Sequence, residues 1–172
     1  DNVSEIMEDR KGDLWISTGK GETRTFARYD GEAFVHYAAA QWTSKGGGIA
    51  LLEDRQGNLW FGTDQGASRF DGAKFETFSV ADGLATDRVN AILVDREGVV
   101  WFGTGGYEEE SGGVSRYDGF RFESFTSDEG LGSNVTQFIE EDRSGDFWFF
   151  SPEETISRYD GSQFEVFTTE DG

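Results

Sequence analysis

Carboxylates are the most abundant residues of this sequence that could do chemistry. The 172 residues include 34 Asp and Glu, 15 Lys and Arg, one His and no Cys. Without cysteine there is no thiolate nucleophile, no thiolate zinc site and no disulfide framework. A single histidine excludes a two-histidine metal site or acid–base pair. What stays open is carboxylate chemistry, either a glycosidase-type pair or an oxygen-ligated cation.

One acidic run stands outside any repeated pattern. Glu108, Glu109 and Glu110 follow an off-pattern tyrosine, Tyr107. Calcium loops usually space their carboxylates at alternate residues, and this run does not. We therefore interpret it as a solvated loop rather than a calcium site, and we predict no metal and no cofactor. A cationic ligand is the alternative for this loop.

Four off-pattern cations and one tryptophan complete the candidate set. Trp42 is the only tryptophan outside the repeat described below, and it either covers a gap in the repeat or stacks on a ligand. We predict a ligand-binding site formed by Lys20, Arg24, Trp42, Lys45, Arg88, Tyr107, Glu108, Glu109 and Glu110. We expect the cations to cluster on one side of the molecule, with the acidic loop across from them.

The overall charge limits the classes of partner. A formal net charge of −19 argues against nucleic acid, whose phosphates need a basic surface. No apolar run approaches the roughly 20 residues that span a bilayer, so we expect no membrane insertion of this segment. The sequence shows no signal peptide and begins at Asp1 without methionine, so we expect that a leader or flanking domains have been removed.

The elements that position these residues are repeated four times. An Asp-Arg-x-Gly turn precedes Trp15, Trp60, Trp101 and Trp148, which are 45, 41 and 47 residues apart. An Arg-aromatic-Asp-Gly phrase and a pair of aromatic residues follow each tryptophan. This period fits propeller blades of about 40–45 residues. The sequence predicts one all-β domain, residues 1–172, with blades at about 1–43, 44–84, 85–131 and 132–172.

Each unit is predicted to contain four antiparallel strands, A to D. In the third unit they are residues 89–94, 99–104, 114–117 and 122–126, rich in β-branched and aromatic residues. Asp118-Gly119 predicts a two-residue type I′ hairpin between strands C and D. His36 falls on an outer strand D, where we expect an ordinary edge position. The repeated tryptophans are predicted to fill the space between blades, and the repeated arginines to form structural contacts.

These phrases resemble the two-component regulator propeller repeat. The second unit carries the match in Glu53-Asp54-Arg55, Leu59-Trp60-Phe61-Gly62-Thr63, Ser68-Arg69-Phe70-Asp71-Gly72 and Asp82-Gly83-Leu84. The resemblance implies an extracytoplasmic (periplasmic or extracellular) sensor region, commonly joined to histidine-kinase and response-regulator parts. Relatives of this kind carry more than four blades, often in two consecutive propellers.

Three arrangements of the four blades remain open. We favour a closed four-bladed ring, hence a monomer. The alternatives are half of an eight-bladed homodimer and a fragment of a larger propeller. An unclosed stack would expose an apolar blade face at each end.

The site is expected on the face where loops vary. The A–B and C–D turns, which are nearly identical among units, form one face, here named the turn face. The B–C and D–A connections form the other, the loop face, and function on repeat scaffolds tends to lie where loops diverge. We therefore predict a non-catalytic recognition propeller for a carbohydrate, another small ligand or a protein. A structural or oligomerisation propeller is the alternative, and a streptogramin-lyase-like enzyme is disfavoured because the lone histidine lies on an outer strand.

Overall fold

Short antiparallel strands account for nearly all regular structure in the computed structural model, which describes residues 3–18, 25–37, 50–106, 111–152 and 154–171. Sheet 1 contains β1 (Val3–Glu8), β2 (Leu14–Thr18), β3 (Thr25–Tyr29) and β4 (Phe34–Tyr37). Sheet 2 contains β5 (Ala50–Glu53), β6 (Leu59–Thr63), β7 (Gly66–Phe70) and β8 (Phe75–Phe78). Sheet 3 contains β9 (Val89–Val94), β10 (Val100–Gly105), β11 (Gly112–Tyr117) and β12 (Phe122–Phe125). Sheet 4 contains β13 (Phe138–Glu141), β14 (Phe147–Phe150), β15 (Ile156–Tyr159) and β16 (Phe164–Phe167).

Each sheet is a four-stranded antiparallel meander, and its strands follow one another in chain order. The first strands of neighbouring sheets contact each other, β1 with β5, β5 with β9 and β9 with β13. The first strand is therefore the inner one, and the fourth lies at the outer edge. These sheets are propeller blades, which confirms the predicted fold class. Within the described ranges, no helix is long and apolar enough to span a membrane.

Two connections between sheets contain a short 3-10 turn. The first, Val80–Asp82, begins at Ser79, whose hydroxyl accepts from the Ala81 amide while Asp82 accepts from the Ser79 amide. The second, Ser127–Glu129, repeats this capping box from Thr126. Each turn leads to a leucine that is 3% exposed, Leu84 or Leu131. The segments Asp82-Gly83-Leu84 and Glu129-Gly130-Leu131 thus anchor these connections in the core shared by two blades.

The core lies between blades, in three hydrophobic clusters that join sheet 1 to 2, 2 to 3 and 3 to 4. Trp15, Trp60 and Trp101 lie in these clusters and are only 1–2% exposed. The predicted role of the repeated tryptophans is therefore confirmed at these three positions. Trp148 differs, because it is partly exposed and belongs to none of the three clusters.

The turn between strands C and D differs from the predicted type I′ hairpin. Tyr117 pairs with Phe122, so four residues rather than two form the connection. Gly119 has a φ of 98°, whereas Asp118 keeps a negative φ. The Asp118 carboxylate accepts from the amides of Phe120 and Arg121, and this side-chain cap stabilises the longer turn. The type I′ prediction is wrong for this reason.

The favoured closed ring is not confirmed. Across the described residues, no hydrophobic cluster joins sheet 4 to sheet 1. Phe34 on the outward face of sheet 1 is 56% exposed, while its counterparts Phe75, Phe122 and Phe164 are partly buried against the preceding sheet. Within the described ranges, the outward sides of sheets 1 and 4 share no hydrophobic cluster with another sheet.

Candidate functional site

The turn face is organised by a repeated aspartate–tryptophan pair. Asp95 is 6% exposed, and its carboxylate accepts from the amides of Glu97 and Val99. Its other oxygen accepts from Nε1 of Trp101 at 2.9 Å. The same indole bond joins Asp9 to Trp15, Asp54 to Trp60 and Asp142 to Trp148. Sequence reasoning missed this bond, although the constant six-residue spacing between the two residues was its signal.

The repeated arginines of strand C are also structural. The guanidinium of Arg116 lies 5.8 Å from the ring centre of Trp101 and donates from Nε to Glu123 at 2.7 Å. Arg69 makes the corresponding contacts with Trp60 and Glu76. The predicted structural role of the strand C arginines is confirmed at these two positions.

Hydrogen bonding lowers the pKa of several turn aspartates. The Ser162 hydroxyl, with the amides of Gln163 and Ser162, lowers the pKa of Asp160 to about 2. The amides of Arg121 and Phe120 lower the pKa of Asp118, because they stabilise the ionised carboxylate. General acid catalysis needs a raised pKa, so these carboxylates are unsuited to it.

Two cavities open on the turn face between neighbouring blades. One of about 420 Å³ lies between sheets 3 and 4 and is lined by Arg96, Trp101, Arg116, Glu141 and Tyr159 among others. Another of about 270 Å³ lies between sheets 2 and 3, beside Trp60 and Tyr117. Both are grooves between the repeated turns, and the sequence analysis did not anticipate them.

Phe120 stands at the rim of the smaller groove and is 94% exposed. The corresponding turn positions hold Glu32, Ala73 and Ser162. This aromatic side chain was detectable in the sequence as a departure from the repeat, but it was not singled out.

The loop face holds one described member of the predicted site, Arg88. Arg88 is exposed, and its side chain lies over Gly106, where a Cβ atom would be 3.3 Å from the arginine Cδ. Its carbonyl accepts from the Gly105 amide at 3.0 Å. Gly106 immediately precedes Tyr107, so Arg88 lies beside the base of the acidic loop. The acidic residues 108–110 and the other cations lie outside the described residues, so the expectation that the loop lies across from the cations stays a prediction.

The base of this loop is tightly packed. Gly105 has a φ of 114°, and a Cβ atom there would lie 3.0 Å from the Cα of Val135 in the next blade. Asn90 donates through Nδ2 to the carbonyls of Gly105 and Thr136, at 2.8 and 3.1 Å. Blades 3 and 4 therefore jointly fix the position from which the acidic loop starts.

The other candidate residues lie outside the described residues. They are Lys20, Arg24, Trp42, Lys45, Tyr107, Glu108, Glu109 and Glu110. His36 is described, and it is exposed on outer strand β4 opposite Ala27, as predicted. Within the described ranges, no group of three or more His, Cys, Asp or Glu side chains is arranged to hold a metal ion.

The four meander blades, each with an aspartate–tryptophan pair at its first turn, define the class of this protein as a β-propeller. Residues 1–20, 49–65 and 83–106 match the family described as two component regulator propeller. The resemblance to the two-component regulator propeller family is therefore confirmed over these three segments.

Solved structures show the same fold. The chain is similar to the extracellular domain of a hybrid two component system from B. thetaiotaomicron, with 22% identity, a TM-score of 0.77 and coverage of 99% of this chain and 23% of that chain. A one component system from the same organism gives 22% identity, a TM-score of 0.72 and coverage of 97% and 24%. The structure of YCF48 bound to D1 peptide gives 12% identity and a TM-score of 0.56, and the match covers 93% of this chain and 50% of that chain.

The chain thus spans about a quarter of the length of the two bacterial domains. At these identities the likeness shows the fold alone. A search of curated protein sequences finds no match to this chain.

Proposed function

We propose that this chain is a recognition segment of an extracytoplasmic sensor propeller and that it is non-catalytic. The observation that carries the proposal is the regulator propeller repeat, found in a fold that it shares with extracellular domains of bacterial signalling systems. The described turn carboxylates and strand arginines support a non-catalytic role, because they are engaged in structural hydrogen bonds and ion pairs.

Recognition is assigned to the loop face, because its connections differ among blades while the turns do not. The base of the acidic loop is fixed by Asn90 and Gly105, and Arg88 lies beside it. The sequence places Trp42 in one of these connections, and a tryptophan suits stacking on a ligand with hydroxyl groups and one apolar face, such as an oligosaccharide.

Titration with an oligosaccharide panel, followed by tryptophan fluorescence, tests this proposal. We expect a saturable change that Trp42→Phe abolishes and that Arg88→Ala weakens. Trp148→Phe is the matched control, because the Trp148 indole donates to Asp142 of the turn face, away from the loop face, so the substitution should leave the binding curve unchanged. No response across the panel would remove the sugar proposal, and hydrolysis of any sugar would contradict the non-catalytic one.

Protein recognition is the second candidate. It is favoured by the similarity to the solved structure of YCF48 bound to D1 peptide. A pull-down with the chain as bait tests it. Capture that is lost on replacing Glu108, Glu109 and Glu110 by glutamine, and kept in Glu97→Gln on the turn face, would support a partner at the loop face.

A further inference from the structure

The turns of sheet 3 have the same length as those of the other sheets, but three side chains at these turns are more apolar. Val94, Val99 and Phe120 stand at positions that are mostly polar elsewhere. Sheet 3 has a described neighbour on each side, so this difference does not come from an uncovered blade. The counterparts are Glu8, Glu53 and Glu141 for Val94, Asp13, Asn58 and Asp146 for Val99, and Glu32, Ala73 and Ser162 for Phe120.

An arginine of the first turn reaches across to the next blade at two of the three interfaces between described sheets. Between sheets 3 and 4, the Arg96 amide donates to Glu141 and its Nη1 donates to the Arg143 carbonyl, each at 3.0 Å. Arg10 makes the equivalent bonds between sheets 1 and 2, at 2.8 and 2.9 Å. A glutamate at the end of the next inner strand is therefore part of the bridge between blades.

Arg55 is the counterpart of Arg96 at the middle interface, and its side chain makes no such bridge. The acceptor position holds Val94, which packs against the hydrophobic cluster between sheets 2 and 3. Arg55 is exposed, and across the described residues its side chain has no hydrogen-bond or ion-pair partner. It lies beside Gly98, where a Cβ atom would be 3.5 Å from the arginine Cδ. All N–H donors of this guanidinium are therefore available to a partner.

The groove between sheets 2 and 3 brings Arg55 and Phe120 to one place. Gly98, against which Arg55 lies, lines this groove together with Phe120. The Phe120 side chain is 94% exposed, so its apolar surface is unused within the described structure. Aromatic residues and arginine are the side chains that most often anchor protein interfaces. Their pairing at one groove indicates a docking point.

The carboxylates of this groove are already engaged. Asp54 accepts four hydrogen bonds from its own turn and strand, and Asp118 accepts two from backbone amides. Arg69, which also lines the groove, pairs with Glu76. The charged group without a partner is the Arg55 guanidinium. A complementary partner therefore brings a hydrogen-bond acceptor with a negative charge, which is a carboxylate in proteins.

The size of the groove favours side chains of a protein over a whole small ligand. Its volume of about 270 Å³ lies below the roughly 300–1,000 Å³ of pockets that hold small molecules. The larger groove between sheets 3 and 4 has no equivalent docking group, because Arg96 there is bound to Glu141 and to backbone carbonyls. The middle groove is therefore the one suited to a partner.

We propose that the groove between sheets 2 and 3 is a second recognition site, which binds a protein segment that carries an apolar side chain close to an aspartate or glutamate. The apolar side chain packs on Phe120 at the rim, and the carboxylate accepts from Arg55. The site lies on the turn face, so it is independent of the ligand proposed for the loop face.

Fluorescently labelled synthetic peptides test the proposal. Each contains a central leucine or phenylalanine in a serine and glycine background, with a glutamate one, two or three positions away. Matched peptides carry glutamine instead. Anisotropy is measured at about 0.15 M salt, where repulsion by the acidic chain is screened beyond about 8 Å. We expect saturable binding of at least one glutamate peptide and roughly threefold weaker binding of its glutamine counterpart.

Two substitutions that restore the repeat should remove the site and keep the fold. Phe120→Ser introduces the residue found at the same turn of sheet 4, and it should weaken binding about tenfold. Val94→Glu should bind Arg55 within the chain, as Glu141 pairs with Arg96, and weaken the glutamate peptide roughly threefold.

The matched control is Arg143→Gln. Arg143 is the equivalent turn residue of sheet 4, it is exposed, and its side chain has no partner among the described residues. Its substitution should leave the affinity for the peptides unchanged. Circular dichroism and urea denaturation check that each variant is folded.

A double-mutant cycle identifies the ion pair itself. Arg55→Gln should weaken the glutamate peptide roughly threefold and leave the glutamine peptide unchanged, because the two substitutions remove the same contact. Failure of every peptide to bind would overturn the proposal. Equal affinity for the glutamate and glutamine peptides would also overturn it, as would full affinity in a folded Phe120→Ser variant.

Discussion

Trp101 and Trp148 occupy equivalent positions in sheets 3 and 4, but their surroundings differ. Both donate from Nε1 to the aspartate of the preceding turn, at 2.9 and 3.0 Å. Trp101 is 1% exposed because Phe147 of the next sheet lies 4.3 Å from it, ring centre to ring centre. Trp148 has only its own sheet, through Phe167, as an aromatic neighbour among the described residues.

The difference separates what a blade does alone from what needs a neighbour. The Asp142–Trp148 hydrogen bond, the Trp148–Phe167 stack and the strand pairing are all formed in sheet 4 without a following blade. The tryptophan is not fully buried there, because burial needs a neighbouring blade. A repeat unit therefore fixes its own side-chain geometry, and the hydrophobic stabilisation comes from stacking.

Truncating the two tryptophans should show the largest effect. Trp101→Ala is expected to lower the free energy of unfolding by about 3–5 kcal/mol, because it leaves a cavity in a closed core. Trp148→Ala should cost about 1–2 kcal/mol, because less area is buried there. Urea denaturation in dilute solution measures both. Equal losses would contradict the comparison and would show that Trp148 is covered under those conditions.

Removing the aspartate that accepts from the tryptophan indole should have the next largest effect on the free energy of unfolding. Asp95→Ala leaves the Trp101 indole and the Val99 amide without their acceptor in a buried setting, which should cost about 2–3 kcal/mol. The equivalent Asp142→Ala should cost less, because water can reach those donors in sheet 4. Asp95→Asn is the control, since its remaining oxygen keeps one acceptor, and its loss should fall between wild type and Asp95→Ala. An Asp142→Ala loss as large as that of Asp95→Ala would contradict this account.

The sequence repeat made the four-stranded blades predictable, but it predicted neither whether the blades close into a ring nor the type of the turn between strands C and D. Strand β9 has the predicted limits, 89–94, and β10 starts at Val100, one residue later than expected. The four-residue turn at Asp118 was missed because a side-chain cap there outweighs the local Asp-Gly preference. Ring closure could not be predicted, because Trp101 and Trp148 are encoded by the same phrase whether or not a blade follows. The site prediction rests on loops without a repeated pattern, and of these the structure describes only the position of Arg88.

Sheets 3 and 4 should also differ, by a smaller amount, in the free energy of unfolding that is lost when the residue beside the next inner strand is changed. A Cβ on Gly103 would lie 2.9 Å from Cγ2 of Thr136 and 3.0 Å from its carbonyl oxygen. Gly103→Ala should therefore cost about 1–3 kcal/mol from overpacking. Thr136→Ser, which removes that methyl group, should recover part of the loss. Phe150→Ala at the matching position of sheet 4 should have a smaller effect, measured in the same urea titrations. Additive losses in Gly103→Ala/Thr136→Ser would contradict the contact.

The smallest expected effect is on acid stability, at the outer turns of these sheets. Ser162 donates to Asp160 and holds its pKa at about 2, below the ordinary 3.8. Because the folded state favours the ionised carboxylate, this stabilisation is complete above about pH 5 and is lost as the pH falls from 3.8 towards 2. Ser162→Ala should raise that pKa, so the unfolding free energies of variant and wild type should differ above pH 5 and converge near pH 2.

Sheet 3 offers the reverse variant, since Phe120 stands where Ser162 does. Phe120→Ser should supply a hydroxyl to Asp118, lower its pKa further and extend acid stability. Urea midpoints between pH 2 and 6 measure both changes, and parallel pH profiles for all three proteins would contradict the role of the hydroxyl.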